Sequence, residues 1–189
     1  MDAPEALLNE DEKKFLTEVA RKTVIEHAEN GSAPEFTTDN PKLNRKSGAF
    51  VSLHEKNGAL RGCIGYVEPL KPLLKTVTDM AVACSSRDPR FQPVTPDEFP
   101  NLNIEVSVLT PLEEISDTEK VRVGEHGLMI KKGQASGLLL PQVPVEFGWD
   151  RHRFLEETCR KAGLESGAWK EPDAKIFVFF AQVFGGSLL

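Results

Sequence analysis

Cysteine is scarce in this 189-residue chain: there are three, Cys63, Cys84 and Cys159, odd in number and widely spaced. No CxxC pair occurs, which argues against a zinc ribbon and a thioredoxin-type redox motif. A chain of this length buries about 70% of the surface its unfolded form exposes, so its core needs no disulfide or structural metal. All three cysteines are expected as free thiols. Long apolar runs are missing too. The most apolar stretch, IFVFFAQVF at 176–184, is far short of the roughly 20 residues a membrane-spanning helix needs. The first residues, MDAPEALLNEDEKK, contain no apolar h-region, so no secretory signal is read there and a cytoplasmic location is expected. An excess of basic charge is also lacking. Lys and Arg number 23 against 29 Asp and Glu, a net charge of −6. That balance argues against broad nucleic-acid binding and against a polybasic membrane anchor. Internal repeats and low-complexity tracts are absent. What remains, 40% hydrophobic and 28% charged, is the mix of one globular domain, 1–189.

Periodicity then places the elements. Asn9 with Glu12 reads as a capping box, Phe15, Leu16, Val19, Ala20 and Val24 recur at helical spacing, and Asn30-Gly31 is a stop, so 9–29 is a helix. Residues 31–47 read as a loop whose Lys42, Arg45 and Lys46 are solvated. GAFVSLH and ALRGCIGYV flank Asn57-Gly58, a hairpin signal. Leu73, Leu74, Val77, Met80, Ala81 and Cys84 make a second helix that Pro89 stops from continuing. LNIEVSVL at 102–109 alternates, with Leu102, Ile104, Val106 and Val108 inward. A second hairpin is expected near 127–140. Asp150 caps a helix ending at Gly163, and an apolar strand at 174–184 is expected to be central. The sum is an α+β fold with a largely antiparallel sheet and flanking helices.

The chemistry-bearing segment is LRGCIGY at 60–66. A two-residue Asn57-Gly58 turn pairs His54 with Arg61 and Ser52 with Cys63. Val51, Leu53, Leu60, Ile64 and Tyr66 then share the core face, and Ser52, His54, Arg61 and Cys63 the other. On that face a cation beside Cys63 favours the nucleophilic thiolate. Equally, a lone cysteine is often a small buried hydrophobe. Gly62 and Gly65 mark a bulge or the close approach of a ligand or another backbone.

These residues resemble the hallmark of the AMMECR domain family, LRGCIG at 60–65. GAFVSL at 48–53, RDPRFQPVT at 87–95, NIEVSVLTP at 103–111, GEHGLMI at 124–130, GLLLPQV at 137–143 and CRKAGL at 159–164 match further blocks in order, so the resemblance covers roughly 12–184. It implies an α+β fold with a larger and a smaller lobe around a cleft near the hallmark. It brings no reaction and no cofactor. It implies a genomic association with a Memo-like and a radical-SAM protein, the AmmeMemoRadiSam set. That is an association, not a mechanism.

Three functions stay open. The first is an enzyme-like or small-ligand-binding domain. In it Cys63 is nucleophile or contact and Glu105 is a candidate base. Arg61 orients an anionic group, Gly62 and Gly65 give backbone access, and Asp88, Arg90 and His126 wall the site. Against these roles, Glu105 fits a structural ion pair with Arg61, Arg87 or Arg90, Asp88-Pro89-Arg90 a chain turn, and His126 a structured turn. The second is an interaction module for a Memo-like or radical-SAM partner. The third is a nucleic-acid-associated regulator, which the net charge opposes. No spacing supports a metal site.

Overall fold

The computed structural model of the chain describes residues 7–189. They form two compact units, one running to Leu109 and including Gln182–Leu189, the other Thr110–Ala181. Each holds a four-stranded antiparallel sheet and helices, an α+β architecture.

In the first unit, helix α1 (Glu10–Asn30) starts where the sequence places it. The Asn9 side chain accepts the Glu12 N–H, the Glu12 carboxylate accepts the Asn9 N–H, and Gly31 closes the helix at φ 72°. Its stripe Leu16, Val19, Ala20 and Val24 is buried. The expected loop contains one helical turn, α2 (Pro41–Asn44), capped by Asn40. Lys42 is therefore not simply solvated: its Nζ donates to the Leu7 carbonyl at 2.9 Å and lies 3.5 Å from Glu12. Strands β1 (Ala49–Glu55) and β2 (Leu60–Tyr66) follow, then α3 (Leu73–Ser86) and β3 (Leu102–Leu109). The four inward residues expected of β3 are all buried. Helices α1 and α3 pack on the sheet face that presents Val51, Leu53, Ile104 and Val106.

The second unit is built from β4 (Glu113–Ile115), β5 (Gly127–Lys132), β6 (Ala135–Leu139), α4 (Gln142–Glu146), α5 (Arg151–Lys161) and β7 (Lys175–Phe179). The β5–β6 hairpin turns at Gly133, φ 59°. Asp150 caps α5. The Gly163 N–H reaches the Arg160 carbonyl and the Leu164 N–H the Cys159 carbonyl, both at 2.9 Å, a Schellman end.

The expectation for the last strand is overturned. The apolar segment at 174–184 is not a single central strand. It breaks at Phe180: β7 lies inside the sheet ordered β4-β7-β5-β6, whereas β8 (Ala181–Ser187) is the outer strand of the sheet ordered β2-β1-β3-β8. Apolarity on both faces reports burial, and two strands in different sheets satisfy it as well as one.

Candidate functional site

The β1–β2 hairpin keeps the expected register only beyond a bulge: Ser52 pairs Cys63, but His54 pairs Leu60 rather than Arg61, so Leu60 leaves the core face expected of it. The loop has three residues, not two. The Glu55 N–H donates to the Ala59 carbonyl and the Gly58 N–H to the Glu55 carbonyl, each at 2.8 Å, with Gly58 at φ 90°. That shifts the pairing by one residue. A bulge between Leu53 and His54 shifts it back: His54 pairs Leu60, Leu53 pairs Gly62, and Arg61 is the extra residue. Beyond it Ser52 pairs Cys63 and Val51 pairs Ile64, as the alternation requires. Cys63 and Ile64 thus point to opposite faces, Ile64 onto the core.

The face away from α1 and α3 carries the polar groups. Ser52 is opposite Cys63 on one side and Glu105 on the other, so Cys63, Ser52 and Glu105 lie abreast across three strands. The flanking rows are Gly65, Phe50 and Ser107, and Leu60, His54 and Asn103. Ser52 and Ser107 are buried, while Cys63, His54, Asn103 and Glu105 are half-buried. Neighbours in such a row stand about 4.5–5.5 Å apart, close enough for one small molecule to touch two of them. Glu105 makes no hydrogen bond or ion pair among the described residues, so the expected structural pairing with Arg61, Arg87 or Arg90 is not formed.

Both guanidinium groups are engaged elsewhere. Arg61 donates from Nε and Nη2 to the two oxygens of Glu98, at 2.7 and 3.0 Å, and lies over the Phe91 ring. This pairing holds the Glu98 carboxyl below its usual range. The bulge explains why Arg61 reaches Glu98: the extra residue re-aims its side chain. The assignment of Arg61 to anion binding and to thiolate activation therefore loses its free charge. Asp88 acts on the outer edge of β2. Its Oδ2 accepts the Cys63 N–H at 2.9 Å and the Arg90 Nη2 at 2.6 Å, while Oδ1 accepts the Arg90 N–H and Nε. Arg90, followed by these backbone bonds, holds the buried Asp88 carboxyl well below the ordinary carboxylate range.

The glycines serve packing rather than ligand access. A Cβ on Gly62 would stand 2.3 Å from the Cys84 carbonyl oxygen, so α3 lies directly on it. On Gly65 it would meet the Phe50 ring at 2.2 Å. Cys84 is buried and its thiol is pushed up by burial. All three cysteines are free. His126 belongs to the second unit. Its Nδ1 accepts the Arg122 N–H at 3.3 Å, and the ring sits edge-on to Phe180. Burial lowers its pKa, which favours the neutral ring. Among the described residues no group of three His, Cys, Asp or Glu is placed to hold a metal ion, and no helix is long and apolar enough to cross a membrane.

Of the residues that shape this region, Glu98 escapes a reading confined to the hallmark. Glu98 stands three residues after Thr95, and the Thr95 N–H donates to Glu98 Oε1 at 2.8 Å. Capping-box spacing was the available signal for it.

The AMMECR1 family model matches residues 17–184. A protein of Methanopyrus kandleri is 43% identical over 182 residues, which cover 92% of this chain and 88% of that protein. One from Thermococcus gammatolerans is 45% identical over 181 residues, covering 90% and 88%. The crystal structure of an uncharacterized protein from Pyrococcus horikoshii matches at a TM-score of 0.87 and 42% identity, over 94% of this chain and 93% of that one.

Proposed function

We propose a function from a premise the comparisons establish: this chain belongs to the AMMECR1 family. The chain is a small-ligand-binding domain of enzyme type, and its site is the sheet face that carries Cys63, Ser52 and Glu105. One observation carries this reading. Glu105 is half-buried without a partner among the described residues, in one row with a hydroxyl beside it and a thiol one strand further on. A carboxylate withdrawn from water without a counter-charge is costly in a structural role and useful at a binding site. With Arg61 and Arg90 neutralised by Glu98 and Asp88, the face offers acceptors rather than free cations. The ligand class that fits is a molecule bearing an amine or several hydroxyl donors. Glu105 accepts from it or serves as base, and Cys63 is contact or nucleophile. Arg61, Asp88 and Arg90 position the β2 strand.

The test is thermal unfolding of the full chain against a panel of amines, amino acids, polyols and nucleosides. A ligand at 100 times its Kd stabilises the native state by about 2.7 kcal/mol. A rise in Tm with at least one compound, lost in Glu105→Gln and in Cys63→Ser, supports the reading. A panel without effect, or a shift that both variants retain, defeats it.

A second reading, docking of a protein partner such as a Memo-like or radical-SAM protein, is favoured by one patch in the second unit. Val145 and Phe147 are 61% and 66% exposed, and Phe147 stacks on Trp149. Large exposed apolar groups in contact mark interaction surfaces.

A further inference from the structure

The outer strand β8 reads AQVFGGS, without a single charge or proline. Edge strands ordinarily carry lysine, proline, a bulge or a cover, because an open row of N–H and C=O groups templates pairing with another chain. Apart from the ladder to β3, no hydrogen bond involves Val183–Ser187 among the described residues. Val183 is 44% exposed, and Gly185, Gly186 and Ser187 are exposed as well.

Beside this edge runs a groove whose other wall is one stripe of α1: Glu10, Lys13, Lys14, Thr17, Glu18 and Arg21. From Glu10 to Arg21 is about 16 Å of helix, the length of about five extended residues. Helix and strand begin side by side. The Leu8 N–H donates to Gln182 Oε1 at 2.6 Å, and Gln182 Nε2 donates back to the Leu8 carbonyl at 3.0 Å. Arg21 lines the same groove as Ser187, so the two elements run in one direction.

We propose that this edge is a dimer interface, formed by antiparallel pairing of β8 with β8 of a second copy of the chain. The charge pattern identifies the occupant. A two-fold axis through the middle of the stripe sets the two α1 helices antiparallel. Glu10 then faces Arg21 of the second copy, and Lys13 faces Glu18, each in both directions. Both pairs are of opposite sign, as an isologous contact requires, and they extend the intrahelical pairs Glu10–Lys13 and Glu18–Arg21 into one network, with Lys14 set against the hydroxyl of Thr17. Exposed ion pairs add little affinity, so these charges fix register and direction while the strand bonds and the exposed Val183 hold the copies together.

Analytical ultracentrifugation of the full chain tests this. The expected mass is twice 20.9 kDa. Gly186→Lys places a lysine on the open edge, the usual block to edge-to-edge pairing, and a side chain there meets nothing within 4 Å, so the fold survives and the dimer is lost. Arg21→Glu weakens the dimer about tenfold at low salt, and Glu10→Arg added to it restores the affinity. A chain that stays monomeric up to about 1 mM overturns the proposal. So does a dimer that Gly186→Lys leaves intact, or a charge swap that fails to restore what Arg21→Glu removes.

Discussion

The two edges of the first unit's sheet are built on opposite plans. At the β2 edge a bulge interrupts the ladder at Arg61, and the buried Asp88 carboxylate takes the Cys63 N–H that would otherwise face outward. A neighbouring strand finds little there to pair with. At the β8 edge there is no charge, no proline and no side-chain cap among the described residues. Among the described residues, one sheet thus ends once in a side-chain clasp and once in open backbone. The difference teaches what the hallmark segment is built for. Its arginine, its glycines and the following Asp-Pro-Arg chiefly fix a strand. That leaves the Cys63–Ser52–Glu105 row as the unassigned chemistry.

The largest effect that tests this contrast is at Gly62. An added Cβ would collide with the Cys84 backbone, and neither strand nor helix can yield cheaply. Gly62→Ala should cost about 3 kcal/mol, read as a lower urea midpoint at unchanged m-value. Asp88→Ala comes next. It leaves the Cys63 N–H without its acceptor, while the exposed Arg90 rehydrates, so about 2 kcal/mol is expected. Hydrogen exchange at the Cys63 amide should accelerate along with it.

The same carboxylate sets an acid limb. Its pKa is lowered on folding, so the unfolded chain binds the proton more readily. Its contribution is therefore complete above the unfolded value of about 4 and is lost as pH falls below that. Stability curves against pH should show a steeper acid decline in wild type than in Asp88→Asn. The smallest effect belongs to the open edge. Gly186→Ala should stay within about 0.5 kcal/mol of wild type, because the added Cβ has space. A cost near that of Gly62→Ala would erase the distinction between the edges.

The elements with local signatures were legible in the sequence: the capped α1, the alternating β3, the β5–β6 hairpin and the Schellman end of α5. The face assignment of Cys63 was also legible, though through two one-residue offsets that cancel. The extra loop residue is a choice of turn geometry that Asn57-Gly58 leaves open. The bulge that compensates for it is stabilised from far away by Glu98. The candidate site was half legible. Cys63 and Glu105 were singled out. That Ser52 stands between them depends on which strand lies beside which, and periodicity holds no information about strand order.

What the sequence determined by itself is period, caps and stops, because these depend on residues within four or five positions of one another. Tertiary structure decided the rest. The bond from Cys63 to Asp88 spans 25 residues and that from Arg61 to Glu98 spans 37, so neither partner can be read from its own neighbourhood. The apolar run at 174–184 became two strands in two sheets because burial constrains hydrophobicity and leaves the choice of neighbour free. Whether a charged side chain acts as clasp or as ligand contact is set by which opposite charge the fold brings within 3 Å of it. Here the fold brought one to Arg61, Asp88 and Arg90, and among the described residues none to Glu105.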